Sequence, residues 1–559
     1  MHLPTTMKTD LYRILILISV IVAGWSCSSQ DNAISNAEKY ITARDIKTHD
    51  SILASDAFMG RMPFTEGETK TINYLKAQFQ KMGLQPGYKG SYFQEVPMVE
   101  IKGNPSDNLK IHSPKGDFTL KFLDEYTAST RRTREKITVE NSPLVFVGYG
   151  IVAPEYNWND YKGLDVKGKT VIMLVNDPGY TLRDSTLFKG KKMTYYGRWT
   201  YKYEEAARQG ATGVIVVHET GAAGYPWGVL RNSALNADLL LRAKDDNLSR
   251  CAFEGWLTTN AATKLFDNLG LNFKQLSQQA LSPGFKPIEL PADVSLEINN
   301  KLKFDVSHNV LALLPGTTRP DECVIYTAHW DHFGVGAKIN GDSIYNGAAD
   351  NGYPLACLLE TAKAFSKLTV KPERSILFLA ITAEEEGLIG SEYYVTHPVF
   401  PLNKTVADIN YELFIPMGKM KDVTITGFGQ SQLDDYVAQI AKKQHRYVVE
   451  EPHPENGMYF RSDHFSFAKY GVPSLFCKGW TESAKHGKKW TLNIVNDYWA
   501  NHYHQPSDEY HSSDDAGGLV QDTKLYFELG LMLANQAAFP NWKQGSEFKK
   551  IRDKTMSGK

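Results

Sequence analysis

The sequence predicts an α/β protein: a mostly parallel sheet covered by helices, with a small α/β domain inserted into it. Three observations lead there. From Ser307 to about Phe539, apolar runs alternate with amphipathic stretches, as buried parallel strands joined by helices do. Between residues 142 and 295 a shorter strand–helix–strand series is broken by long polar loops. Short polar clusters stand at the ends of the apolar runs, where functional groups gather in such sheets.

Taken in order, Ile34 to about Ser55 reads as a helix, and Glu66 to Met82 as a second, with Ile72, Leu75, Phe79 and Met82 on one face and Gly83 as its stop. Gly60-Arg-Met-Pro63 is the loop between them. Tyr92–Val99, Leu109–His112 and Phe118–Phe122 have strand character. Residues 28–141 are therefore expected to start the large domain. Leu144–Gly150, Lys169–Val175 and Gly213–Val217 read as strands of the insertion, and Lys202–Gly210 as its helix. Residues 296–540 resume the large domain. The charged tail 541–559 is expected to fray.

A chain of 559 residues calls for more than one core. The formal net charge of −1 excludes an electrostatic case for nucleic acid or for an anionic membrane surface. Lys8 and Arg13 precede the apolar run Ile14–Gly24, which is short for a membrane span and suits a secretory signal. Cys27 after small residues at the end of that run resembles a bacterial lipoprotein signal, although Trp25 fits it poorly. Residues 1–27 are expected to be the signal and Cys27 the lipid anchor, with an ordinary signal peptide cut near this point as the alternative; the protein is expected to be exported and bound to a bacterial membrane, facing the periplasm or the cell surface. Cys251, Cys323, Cys357 and Cys477 are scattered in apolar contexts with no Cys-x-x-Cys pair, which favours buried free thiols; export leaves a disulfide open.

The chemistry lies in Thr327-Ala-His-Trp-Asp-His332, Gly347-Ala-Ala-Asp-Asn-Gly352, Ala383-Glu-Glu-Glu-Gly387, Asp408-Ile-Asn-Tyr-Glu412 and Tyr503-His-Gln-Pro-Ser-Asp508. The candidate ligands are His329, Asp350, Glu384, Glu385, Glu412 and His504. Imidazoles and carboxylates at the ends of adjacent buried elements suit a divalent metal such as zinc. Neighbouring side chains in the Glu run point in different directions, so one can bind metal while the next faces a water. Two imidazoles and three carboxylates are too few for two separate four-coordinate sites, but suffice if one carboxylate bridges and water completes the shells. Asp331 is placed to orient His329, and Asp508 to orient His504. Each piece alone has a bland reading: a structural His, a solvated acidic run, an Asp-Asn-Gly turn. Their order along the chain is what argues for a site.

That ordered set, "AHWDHFG", "GAADNG", "AEEEGLIGSEYY", "INYELF", "RSDHFSFAKYGVPSLF" and "YHQPSDEY", resembles the secreted zinc aminopeptidase family, which also includes glutamate carboxypeptidase, glutaminyl cyclase and the transferrin receptor. The resemblance covers roughly residues 45–125 and 300–540. It implies a phosphorylase/hydrolase-like fold, two zinc ions and a peptide substrate. It also implies His329 on the first zinc, Asp350 as the bridge, Glu384 as general base, and Glu385 and His504 on the second zinc. Glu412 departs from it, since the family commonly has Asp there. Tyr459 resembles a Tyr that some members use to stabilise the oxyanion; its bland reading is a Tyr packed in a loop. In the insertion, "FVGYGI", "DVKGKTVIMLV" and "AARQGATGVIVV" resemble the protease-associated domain, which implies a lid or spacer.

The expected reaction is zinc-dependent removal of N-terminal residues from peptides, with Glu384 taking the proton of the attacking water. A receptor-like binding protein and a one-zinc glutaminyl cyclase-like enzyme are the alternatives. Aminopeptidase, carboxypeptidase and dipeptidase action stay open, as does oligomeric state. Glu386 and Asp463 are acidic candidates to anchor a free amino terminus. The Lys- and Trp-rich stretch Thr481–Asn501 reads either as a lining of the substrate entrance or as a surface loop.

Overall fold

The computed structural model describes residues 33–558; the expected signal segment and Cys27 lie outside them. Eight strands carry the larger body: β1 (Phe93–Pro105), β2 (Ile288–Leu314), β3 (Arg319–His329), β4 (Arg374–Ile381), β5 (Thr405–Asn410), β6 (Asp422–Ile425), β7 (Tyr447–Glu450) and β8 (Ser474–Lys478). They lie in the order β1–β2–β4–β3–β5–β8–β6–β7. The β4–β3, β3–β5, β5–β8 and β6–β7 pairs are parallel, and the others antiparallel. β3, β4 and β5 read as continuous apolar runs because helices cover both faces: Val324–Ala328 and Ile376–Ile381 are fully buried.

On one face lie helices α1 (Ala43–Leu53), α2 (Glu66–Lys81), α3 (Tyr353–Ser366) and α4 (Gly517–Asn535). α3 starts with Pro354 in its first turn, where a missing N–H costs nothing. It packs against both α1 and α4, so nearly its whole surface is apolar and buried. The helix expected over Ile34–Ser55 is interrupted before Ala43: Thr42 is extended and accepts the Asp45 amide, restarting the helix.

The second body has its own core, and that core begins at Leu109 rather than at Ser142. The segment Asn108–His112 pairs with Phe118–Lys121, and Tyr126–Ser129 pairs with Phe253–Thr258. These short antiparallel strands look unlike the buried parallel strands Thr170–Leu174 and Gly213–His218, so the change of sequence character at Ser142 marks a change of strand environment within one body. β2 joins the bodies: Ile288–Asn299 pairs with Lys136–Phe146, and Val310–Leu314 with β4. The tail does not fray. Trp542 and Phe548 are buried, and the buried Arg552 donates to the Leu402 and Thr405 carbonyls. Cys251, Cys323, Cys357 and Cys477 are buried and unpaired. Among the described residues no helix is long and apolar enough to cross a membrane.

Candidate metal centre

The register of the parallel strands sets the site. His329 ends β3 level with Ile381 of β4, and Thr327 is level with Asn410 of β5. Glu384, Glu385 and Glu412 therefore follow within a few residues beyond the same edge. The backbone turns sharply there: Ala383, Leu413 and His504 have φ of 51°, 48° and 57°, a left-handed conformation that costs an L-residue about 1–2 kcal/mol. Asp350 sits in the turn before α3, reached through Gly347 at φ 61°. A Cβ on Gly347 would lie 2.3 Å from the Asp350 carbonyl oxygen, so only glycine fits.

His329 Nε2 lies 3.2 Å from Asp350 Oδ1, 3.5 Å from Glu412 Oε1 and 3.9 Å from Glu384 Oε2. His504 Nε2 lies 3.4 Å from Asp350 Oδ2 and 3.2 Å from Glu385 Oε2. Asp350 thus turns one oxygen to each imidazole. His329 is fully buried, whereas the His504 side chain is 31% exposed, so the cluster opens to solvent on that side. His329 Nε2, Asp350 Oδ1 and His504 Nε2 are buried and have no hydrogen-bond partner. Such convergence of unsatisfied lone pairs is rare in a folded protein, and a cation between them would satisfy it. His329, Asp350 and Glu412 offer one compact ligand set, and His332, Asp350 and Glu385 another. A nitrogen–carboxylate donor set of this kind fits zinc.

Residues 309–527 match the model of peptidase family M28. That stretch holds every ligand named above, and over it the resemblance read from the motifs is borne out. Aminopeptidase NAALADL1 of Mus musculus is 36% identical over 143 residues, which are 24% of this chain and 18% of that protein. The probable leucine aminopeptidase 2 of Aspergillus oryzae is 29% identical over 280 residues, 47% of this chain and 52% of that protein. The chain thus spans less than two thirds of either relative. Among solved structures, the aminopeptidase from Aneurinibacillus sp. strain AM-1 is 18% identical, with a TM-score of 0.45 over 90% of this chain and 97% of that one.

Around these candidate ligands runs a layer of hydrogen bonds. His329 Nδ1 lies 3.1 Å from the Asp331 carbonyl oxygen, which places the proton on Nδ1 and turns the Nε2 lone pair into the cluster. The Asp331 carboxylate accepts the amides of Glu384 and Glu385 at 3.1 and 3.3 Å, holding that pair in place. Asp508 does not orient His504. Its carboxylate accepts the Ala349 and Asp350 amides and the Tyr498 hydroxyl, so it shapes the bridging turn instead. His504 is held by its rings, stacked on Tyr503 and edge-on to Phe333. Ser462 donates to Glu412 Oε2 at 2.8 Å.

Charge separates the two adjacent glutamates. Burial pushes the Glu384 carboxyl well above its usual range, and Glu412 and Glu385 add to this against the pull of His329. Burial acts on Glu385 in the same direction and is the largest single influence, but His504 and His332 together outweigh it and draw the carboxyl down to about 2. Burial works against charging His504, yet Glu385 and Asp350 lift it to about 10. The two adjacent carboxyls are thus pushed in opposite directions.

Sequence reasoning missed His332. It is buried, and its Nδ1 lies 2.6 Å from Glu385 Oε1; its signal was the spacing of three from His329 just beyond a strand end. Tyr459 is not brought to the cluster. It packs with Phe460, Phe465, Trp542 and Phe548, and its hydroxyl has no hydrogen-bond partner. The docked tail supplies half of that aromatic nest. Asp463 is buried with neither oxygen hydrogen-bonded; burial raises it to about 8 against the pull of His329. Glu386 is raised to about 7 by burial and Asp331. The stretch Thr481–Asn501 is no loop: Gly487–Asn501 is a helix, anchored by Val495 and Tyr498, that leads directly to His504.

Proposed function

We propose that the chain is a zinc-dependent exopeptidase of the aminopeptidase type, using two zinc ions on peptide substrates. The observation that carries this is Asp350, whose two oxygens face two separate imidazoles at 3.2 and 3.4 Å. His329, Asp350 and Glu412 would hold one ion, and Asp350, Glu385 and His504 the other, with His332 fixing Glu385. The complete ligand set argues against a receptor-like role and against a one-zinc enzyme. The aminopeptidase names of the relatives support the substrate class.

When bound, zinc polarises a peptide carbonyl and acidifies water. Glu384 does the proton work. Its carboxylate is buried, without hydrogen bonds that would tie it down, and has a raised proton affinity; it takes the proton of the attacking water and returns it to the leaving amine. His332 and Asp331 keep the Glu384–Glu385 pair in place. We read the second body as a protease-associated domain, supported by its parallel strands Thr170–Leu174, Gly213–His218 and Phe253–Thr258, and Cys27 as the lipid anchor of an exported protein, supported by the sequence before it.

Glu384→Gln tests the assignment, read by zinc content per chain and by aminoacyl-anilide turnover. Zinc should stay bound while turnover falls about 10²–10⁴-fold. A Glu384→Gln enzyme with near wild-type turnover would overturn the role.

A further inference from the structure

The loop Gly60-Arg61 lies outside the stretch matched by the family model, yet it reaches the metal centre. Met59, Gly60 and Arg61 all have positive φ, 52°, 64° and 53°. A Cβ on Gly60 would lie 2.5 Å from the Tyr345 carbonyl oxygen and 2.6 Å from that of Gly334. These two residues are the base of the hairpin formed by Gly334–Ile339 and Asp342–Tyr345, which leaves the site after His332 and returns before Asp350. The turn is thus wedged against the base of that excursion.

From there the fully buried Arg61 side chain enters the molecule. Its Nε donates to the Trp330 carbonyl at 2.9 Å, Nη1 to Leu53 at 2.7 Å and Asn346 at 2.6 Å, and Nη2 to Gly347 at 2.8 Å. Trp330 follows His329, while Asn346 and Gly347 lead into the Asp350 turn. One planar, rigid group therefore spans the exit of the first ligand's strand and the approach to the bridging ligand. Asp50, buried with neither oxygen hydrogen-bonded, stands beside this cation and against Gly352, on the far side of the same turn. Arg61 touches no candidate ligand, and its bonds to main-chain carbonyls occupy four of its five N–H groups.

Resting on the two-metal reading above, we propose that Arg61 is a positioning residue: by clasping Trp330, Asn346 and Gly347 it sets the separation of His329 from Asp350 and thereby the affinity of the centre for zinc. A lysine keeps the charge but cannot span three carbonyls, so it would not replace it.

The test compares full-length wild type with Arg61→Lys and Arg61→Met. Zinc affinity is read by competition with a chromophoric chelator. Circular dichroism and thermal unfolding of the zinc-free proteins report the fold, and KM and kcat are measured with and without excess zinc. Arg61→Met should stay folded, bind zinc at least tenfold more weakly, and recover kcat in excess zinc with KM unchanged. Arg61→Lys should fall between. A merely structural role would lower the unfolding temperature and leave zinc affinity alone, and folded variants with wild-type affinity overturn the proposal. If Arg61→Met does not fold, Arg61→Lys and Gly60→Ala decide, the latter moving the turn without altering the guanidinium; if none folds, Arg61 is a folding determinant and the positioning role falls. A wild type that binds no zinc refutes the functional reading itself, whereas a zinc-binding wild type with indifferent variants refutes only this inference.

Discussion

Shortening Glu412 to Asp tests whether the site is built around the longer side chain. Glu412 Oε1 lies 3.5 Å from His329 Nε2, and Oε2 accepts the Ser462 hydroxyl at 2.8 Å. Removing one methylene withdraws the carboxylate by about 1.5 Å. That carries one oxygen out of range of a shared ion and breaks the serine bond, leaving a buried hydroxyl that still accepts from Asn410. A hydrogen bond to a charged group is worth about 1.5–3 kcal/mol, which corresponds to roughly ten- to a hundredfold in affinity. Glu412→Asp should therefore bind its first zinc about ten- to a hundredfold more weakly in chelator competition, and its stoichiometry should fall from two toward one under conditions that leave the wild type loaded. Turnover should fall in parallel and recover in excess zinc. Equal affinity and equal turnover would refute the reasoning. So would a gain of zinc or activity, since the site would then be arranged for Asp, with Glu412 a misfit.

Two further outcomes follow from the hydrogen bonds and from burial. Asp508→Asn puts an amide N–H against at least one of the donors Ala349 N, Asp350 N and Tyr498 Oη; losing one charge-assisted bond at about 1.5–3 kcal/mol should weaken zinc binding by about tenfold or more, and unchanged chelator competition would show that the turn holds itself. His464 is fully buried among aromatic rings, and burial holds its imidazole down to about 3. Its folded pKa is below the unfolded value of about 6.5, so the unfolded chain binds more protons between those limits and stability is lost as pH falls through that window. At pH 5.5 the loss from this group is about 1.4 kcal/mol. Urea unfolding at about pH 7 and pH 5.5 should show a drop that is smaller by about 1 kcal/mol in His464→Phe; equal drops would exclude His464 as the source.

The candidate ligands could be read from the chain because each stands where a local pattern ends. His329 closes an apolar run, Glu384 and Glu385 follow another, Glu412 a third, and Asp350 precedes a helix whose first turn holds a proline. Strand and helix periodicity are local properties, so they locate element ends, and in a parallel sheet the ends share one edge. Family likeness then supplied roles that spacing could not. What faces what is not local. Asp508 turns to the Asp350 amide rather than to His504, and His332 to Glu385, because the register and the turns beyond the strands decide which polar atoms meet. Tyr459 is drawn into an aromatic nest by Trp542 and Phe548, which approach only once the tail docks. Arg61 lies among ordinary loop residues in sequence, and its four carbonyl partners come together only when a hairpin base, a strand end and a helix end are packed. The chain alone determined the architecture, the ligand types and their order; the tertiary structure decided the contacts, because hydrogen bonds and buried charges are satisfied across the fold and not along it.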